Sequence, residues 1–307
     1  MGIFQQFPYT NFHEMNLDEI LKMVKDSNNK ISDVYNALYT NLKTYVFEWL
    51  DEHPDVIDYA LIADMCDTII SNAFGDIQYD IGKTDKDIYT IITIPKSKFK
   101  MKLTPICDDP TDHAPIKKYV LEQKPAICMN ITNDGNLLYN GVIYGSDYTQ
   151  SVHGSIYAMK DDDVDFEVFE NPTKLSDVRD LGYKNAISAW NCLRKGGVNK
   201  SLDWSYASYA NPNPRQTLAW DDDNWYIYTS YCRLAIYGDN STENLYGITM
   251  QEARDFCENK GWPNAAALDG GGSSYIATGS PFVEITPNIN NGYLRDAYMC
   301  IAFERGE

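Results

Sequence analysis

Apolar residues recur through the first part of the chain in steps of three and four. Leu17, Leu21, Val24, Ile31, Tyr35, Leu38, Leu42, Tyr45 and Trp49 follow one stripe, with Asn28 at its polar position. Sustained over several heptads, this spacing predicts a coiled coil whose seam asparagine fixes register and oligomer state. Two amphipathic helices broken at "DSNNK" satisfy the same pattern. Pro54 stops the run, and "DVIDYALIADMCDTIISNAFG" predicts a further helix with Gly75 as its C-cap.

After Gly75 the period changes to two. "DIYTIITIP", "KFKMKLTPI", "AICMNI", "WYIYTSYC", "NAAAL", "SYIAT" and "AYMCIAF" alternate between turn signals such as "NDGN", "DDDN" and "TGSP" and predict strands. One helix interrupts them: "TMQEARDFCENKG" has Thr249 as N-cap, Glu252 three residues on, and Gly261 at its end. Strands dominate with helices interposed, so the fold class is α+β: a mixed sheet domain with packed helices over residues 76–307, preceded by an N-terminal helical segment over residues 1–75.

Charge narrows the partners. Twenty-six basic against 44 acidic residues give a net charge of −18, spread along the chain, which repels a nucleic-acid backbone. No apolar run approaches the roughly 18 residues a membrane span needs. The start "MGIFQQFPYT" lacks the basic and apolar regions of a secretory signal, which predicts a soluble protein made in the cytoplasm. Twenty-three tyrosines and six tryptophans suit recognition of glycan or protein surfaces as well as cores. Seven cysteines (Cys66, Cys107, Cys128, Cys192, Cys232, Cys257 and Cys300) show no C-x-x-C spacing and read as mostly buried thiols. Asp161, Asp163 and Asp165 alternate in "DDDVDFE", but Phe166 stands where a calcium loop requires glycine, and "DDDN" at 221–224 reads as a hairpin turn. No metal and no cofactor is expected.

The chemistry concentrates in "NAAALDGGGSSYIATGS", residues 264–280. Three consecutive glycines in an ordered domain sacrifice stability, which calls for a geometric reason. After Asp269, Gly270, Gly271 and Gly272 let the backbone turn steeply with its N–H groups outward, an anion-binding nest to which Ser273 and Ser274 add hydroxyls. No Gly-Lys-Ser/Thr follows, so the loop is not a Walker motif, and the strand after it rules out a dinucleotide fingerprint. A plain glycine-rich hairpin is the alternative.

Together with "NPRQTLAWDDDNWYIYTS" and "YGITMQEARDFCENKG", this stretch resembles the phosphodiester glycosidase family, which includes the lysosomal uncovering enzyme. Arg215, Gly247, Glu252, Asn264, Ala265, Leu268, Asp269, the three glycines, Ser273 and Arg295 match the family pattern over about residues 211–303. Two departures stand out. "MNITNDGNLLYNG" keeps Asn130 without the glycine and aromatics expected after it, and the threonine that follows Arg215 in the family is displaced by one, to Thr217. The resemblance implies cleavage of a sugar C1–O–phosphate bond without a cofactor. Arg215, Arg295 and the nest would stabilise developing negative charge. Asp269 and Glu252 would be the carboxylates at an oxocarbenium-like centre, and Asn130, Thr217 and Ser274 would line the pocket. Glu252 equally completes a capping box with Thr249.

The opening "FPYTNFHEMNLDEIL" resembles the N-terminal segment of virion proteins in short-tailed phages of Gram-positive and gut bacteria. That resemblance implies an attachment and oligomerisation role for residues 1–75. It implies a virion fibre or appendage protein acting at the host cell surface, with other virion proteins, a bacterial surface glycan or teichoic acid, and further copies of itself (a trimer) as partners. The expected function is hydrolysis of glycosyl-phosphodiester bonds in the host envelope. An inactive glycan-binding or structural virion protein is the alternative.

Overall fold

The computed structural model describes residues 75–83, 88–131, 135–148, 155–161, 166–170, 174–202, 210–231, 247–279, 282–285 and 295–306. The expected N-terminal helices lie outside them, although Gly75 does have the left-handed φ of 72° that suits a C-cap.

A seven-stranded sheet runs in the spatial order β1 (Gln78–Lys83), β2 (Ile88–Pro95), β14 (Asn224–Tyr231), β13 (Arg215–Trp220), β15 (Asn264–Leu268), β11 (Cys192–Lys195), β12 (Val198–Asn199). A five-stranded sheet follows the order β7 (Val142–Tyr144), β6 (Leu137–Tyr139), β10 (Asn185–Ala189), β8 (Ser155–Met159), β9 (Glu167–Glu170). Another follows β17 (Phe282–Glu284), β16 (Ile276–Gly279), β5 (Ile127–Asn130), β19 (Met299–Arg305), β3 (Phe99–Pro105), and β4 (Ala114–Pro115) pairs with β18 (Asp296–Ala297). Three helices accompany them: α1 (Ile116–Gln123), α2 (Leu175–Asp180) and α3 (Met250–Asn259).

The alternation along each strand decides what the sheets bury. Ile92, Leu218, Ile227, Ala266 and Leu268 of the seven-stranded sheet share one core with Met101, Met129, Ile276, Ile301 and Phe303 of the β3-containing sheet, and with Leu137, Tyr157 and Ile187 of the β6-containing sheet. The opposite face of the seven-stranded sheet carries Ala219, Ala265, Ala267 and Tyr228, against which α3 lays Met250, Ala253 and Cys257. Alanines there let the helix approach closely, and Tyr228 stacks on Phe256 with ring centroids 4.1 Å apart. On the β5–β19 sheet the outer face is covered by Ile116, Tyr119 and Val120 of α1, over Cys128, Ala277 and Cys300.

All seven strands anticipated from the alternation form, and α3 spans Met250–Asn259 behind Thr249, with Gly261 at φ 73° after it. "DDDN" is the β13–β14 turn: Trp220 pairs with Trp225, and Asp221 Oδ1 accepts the N–H groups of Asp223 and Asn224 at 2.9 and 2.7 Å. Of the other acidic run, Asp161 pairs with Lys184, Phe166 packs between Trp220 and Trp225, and residues 162–165 lie outside the described set. Cys128, Cys192, Cys257 and Cys300 are buried free thiols and Cys107 is partly exposed. Burial pushes the Cys192 and Cys257 thiols up to about 12, which keeps them unreactive.

Candidate active site at the glycine crossover

The strands that flank the three glycines belong to different sheets. β15 lies in the seven-stranded sheet between β13 and β11, whereas β16 lies between β17 and β5. The glycine loop is therefore a crossover between sheets, not the plain hairpin that its composition also allowed. Its middle, Gly271–Ser273, makes a single 3-10 turn.

Both ends of the crossover are tied to the end of β5. The N–H of Asp269 donates to the Ile131 carbonyl at 2.7 Å, and the Asn130 amide donates through Nδ2 to the Ser273 carbonyl at 2.8 Å. The Asn130 N–H donates to the Tyr275 carbonyl at 3.1 Å. Gln216, buried on β13, completes the clasp: its Nε2 donates to the Asn130 carbonyl at 2.9 Å, and its Oε1 accepts the Tyr275 N–H at 3.1 Å. One side chain from the seven-stranded sheet thus bridges β5 and the exit of the loop.

The loop is also pressed against the start of β13. A Cβ on Gly270 would lie 2.4 Å from the Pro214 carbonyl oxygen and 3.5 Å from Arg215 Cα. That same carbonyl accepts the Gly271 N–H at 3.0 Å, and Gly271 takes φ 56° to make the turn. Ser273 and Ser274 donate their N–H groups to the carbonyls of Gly270 and Gly271. The expectation of N–H groups pointing outward is corrected for three of them: those of Gly271, Ser273 and Ser274 donate to backbone carbonyls and brace the turn.

Arg215 opens β13 and is buried. Its Nε donates to the Ile248 carbonyl at 3.0 Å and a terminal nitrogen to the Asn211 carbonyl at 2.8 Å. Gly247, just before Ile248, has φ 145°, and a Cβ there would meet the Asn213 carbonyl carbon at 2.6 Å, so the chain leading into α3 lies directly on the segment leading into β13. Leu268 pairs with Gln216, so Asp269 and Arg215 follow as the next residues of adjacent strands. Period two puts Arg215 and Thr217 on the face that carries Ala219, which is also the face of Ala265 and Ala267, and Asp269 is the first residue past the end of β15. From the other side, the exposed Arg295 donates to Ser273 Oγ at 3.1 Å.

Glu252 completes the capping box of α3. Its Oε2 accepts the Thr249 N–H at 2.8 Å and the Thr249 hydroxyl at 3.0 Å, while Thr249 Oγ1 accepts the Glu252 N–H at 3.1 Å. Asp269, Arg215, Asn130, Thr217, Ser273 and Ser274 belong to the crossover or the strands around it, and Arg295, just before β18, reaches it through Ser273. Glu252 stands one element away, at the helix start. Gln216, the Pro214 and Ile131 carbonyls, and Ser230 opposite Arg215 were not singled out from the sequence. A buried glutamine in "RQTLAW" was the one available signal, since a polar side chain on the core-facing side of a central strand needs partners.

A sequence model of the phosphodiester glycosidase family matches residues 117–301, more than half of the chain and all of these residues. The fold is similar to the catalytic domain of zebrafish N-acetylglucosamine-1-phosphodiester alpha-N-acetylglucosaminidase, in a form auto-inhibited by its pro-peptide, with TM-score 0.53 and 13% identity over 75% of this chain and 82% of that one. It is also similar to a hypothetical protein from Synechocystis, with TM-score 0.51 and 12% identity over 74% of this chain and 61% of that one. No curated protein matches the sequence.

Proposed function

The chain belongs to the phosphodiester glycosidase family, a family of hydrolases, and on that premise we propose that it hydrolyses glycosyl-phosphodiester bonds at the glycine crossover. The observation that carries this reading is the placement of Asp269 and Arg215 as neighbours on adjacent strands, with the crossover held against both. Expulsion of a phosphate monoester from C1 places negative charge on the phosphoryl oxygens and positive charge on the sugar ring. Arg215, fixed by two carbonyls, is a preorganised cation for the first, with Arg295 and Ser273 beside the loop as further donors. Asp269 is the carboxylate for the second, as nucleophile, base or electrostatic partner. In this reading Glu252, whose Oε2 is engaged by Thr249, is assigned to the capping of α3, and Asp269 is the carboxylate of the reaction.

The substrate we propose is a sugar-phosphate polymer of the bacterial envelope, such as teichoic acid or a phosphorylated capsule, met by a virion appendage of which residues 1–75 form the attachment and oligomerising part. The resemblance of the first residues to short-tailed phage virion proteins supports this. Incubation of purified host teichoic acid with the protein tests it: new phosphate monoester ends support it, and an intact polymer beside a cleaved low-molecular-weight glycosyl phosphodiester assigns the enzyme another substrate.

A second reading, an inactive glycan-binding module on the same fold, has one observation in its favour. Arg215 directs two of its N–H groups to backbone carbonyls, as a purely structural arginine would. Retained glycan binding without turnover would select it.

A further inference from the structure

The net charge of −18 sets a condition on the substrate. The excess is not gathered in one part: residues 1–75 hold 12 acidic against 4 basic side chains, and residues 76–307 hold 32 against 22. Within the second span Lys102, Lys184, Lys195 and Lys200 each stand within 2.8 Å of a carboxylate, so their charge is compensated in place. A polymer of phosphodiesters carries one negative charge per repeat, as a nucleic-acid backbone does. A surface of this sign repels both.

The same balance holds next to the site. Among the described residues there, the guanidiniums of Arg215 and Arg295 are matched by the carboxylates of Asp269 and Asp296. Asp296 follows Arg295 directly. Successive residues of an extended chain point to opposite sides, so Arg295 turns to Ser273 Oγ, at 3.1 Å, while Asp296 turns to His113, with Oδ2 3.7 Å from Nε2. Asp296 and His113 are partly exposed, and the Tyr298 ring centroid lies 5.2 Å from that of His113. A carboxylate beside aromatic surface favours an ammonium group and repels a second phosphate.

We propose that the substrate is zwitterionic: a sugar-phosphate polymer whose repeats carry ammonium groups, with Arg295 facing a phosphate and Asp296, beside His113 and Tyr298, facing the ammonium of the adjoining group. The inference rests on the hydrolytic reading above for the phosphate at the crossover, and it adds the charge class of what surrounds that phosphate. Ammonium substituents cancel the charge of the polymer along its length, which removes the long-range repulsion from the acidic protein. Discrimination against a bare polyanion then comes from the whole surface, and Asp296 supplies its local part.

The test is calorimetric titration of the full chain with unsubstituted poly(glycerol phosphate) and with the same polymer esterified by D-alanine, which adds ammonium groups to an unchanged backbone. Neither polymer has a sugar C1–O–P bond, so affinity is read without turnover. The titrations are run in about 0.01 M and about 1 M sodium chloride, where charges are felt over about 30 Å and about 3 Å. The expected result is an affinity for the alanylated polymer about tenfold higher at low salt, in the range of whole-surface field effects, with most of that preference gone at high salt. Asp296→Asn should lower the preference about threefold, the worth of one exposed ion pair, and Asp296→Glu, which keeps the charge, should retain it. Equal or tighter binding of the bare polymer at low salt, binding of neither polymer, or a preference that Asp296→Asn leaves intact overturns the proposal. A protein with the expected preference that cleaves no glycosyl phosphodiester keeps the charge class and loses the hydrolytic reading; one that cleaves such a diester yet prefers the bare polymer does the reverse.

Discussion

The Pro214 carbonyl and Gly270 stand so close that a Cβ on residue 270 would come within 2.4 Å of the oxygen. This contact locks the crossover onto the segment that delivers Arg215, and it explains one of the three glycines by space. Gly270 has an ordinary φ of −108°, so its need is steric; Gly271 has open space around its missing Cβ and a φ of 56°, so its need is conformational. Gly270→Ala should lower stability by about 1–3 kcal/mol, the usual cost of overpacking, and should abolish turnover by moving Asp269 relative to Arg215. Gly271→Asn, which tolerates the left-handed region, should be the milder change. Urea unfolding of both variants checks the order, and a Gly270→Ala protein as stable as the wild type contradicts it.

Gln216 should behave as a clamp between sheets. Gln216→Leu leaves the Asn130 carbonyl and the Tyr275 N–H without the partner they have now, at about 1–3 kcal/mol for each buried group. The expected drop in the urea midpoint should come with faster hydrogen exchange at the Tyr275 amide. An unchanged exchange rate would show that the clasp holds without the glutamine.

Glu252 and Thr249 separate a structural from a chemical carboxylate. Thr249→Ala should cost about 1 kcal/mol, as loss of an N-cap does. Glu252→Gln keeps an acceptor for the Thr249 N–H and should retain both the melting temperature and most of the turnover. Loss of turnover at unchanged stability would instead place this carboxylate in the reaction.

Acid should weaken the β13–β14 turn. Burial alone would raise the Asp221 carboxyl, but the Tyr226 hydroxyl at 2.7 Å, the N–H groups of Asn224 and Asp223, and the Lys96 ammonium outweigh it and hold the group below its ordinary value. A folded-state value below the unfolded one stabilises the protein at pH above about 4, and this contribution disappears as pH falls through the folded value. Urea midpoints from pH 7 to pH 2 should therefore fall more steeply for the wild type than for Asp221→Asn. Parallel curves would exclude the contribution.

Long alternating segments were legible from the sequence because each buries one full face. "DIYTIITIP" and "WYIYTSYC" became β2 and β14, which pair over eight residues. The β6-containing sheet was not legible. Its strands are three to five residues long, and "SIYAM" is buried at every position, so no period distinguishes it. Ile116, Tyr119 and Val120 of α1 do follow helical spacing, but eight residues offer only two turns of signal. At the site, the residue types around Asp269 were readable, whereas the sheet change across the glycines was not. A composition that turns a chain steeply is the same for a hairpin and a crossover. Only the pairing of β16 with β5 decides between them.

Phosphorus NMR of a glycosyl phosphodiester incubated with the wild type and with Asp269→Asn is the most direct measurement of the central claim. The asparagine keeps the size of the side chain and the N–H bond to Ile131, and removes the charge. The predicted result is a growing phosphate monoester signal from the wild type and none from the variant, with both proteins folded and both binding the substrate. Equal release by the two proteins would remove Asp269 from the chemistry, and no release by a wild type that binds the substrate would contradict hydrolysis at the glycine crossover.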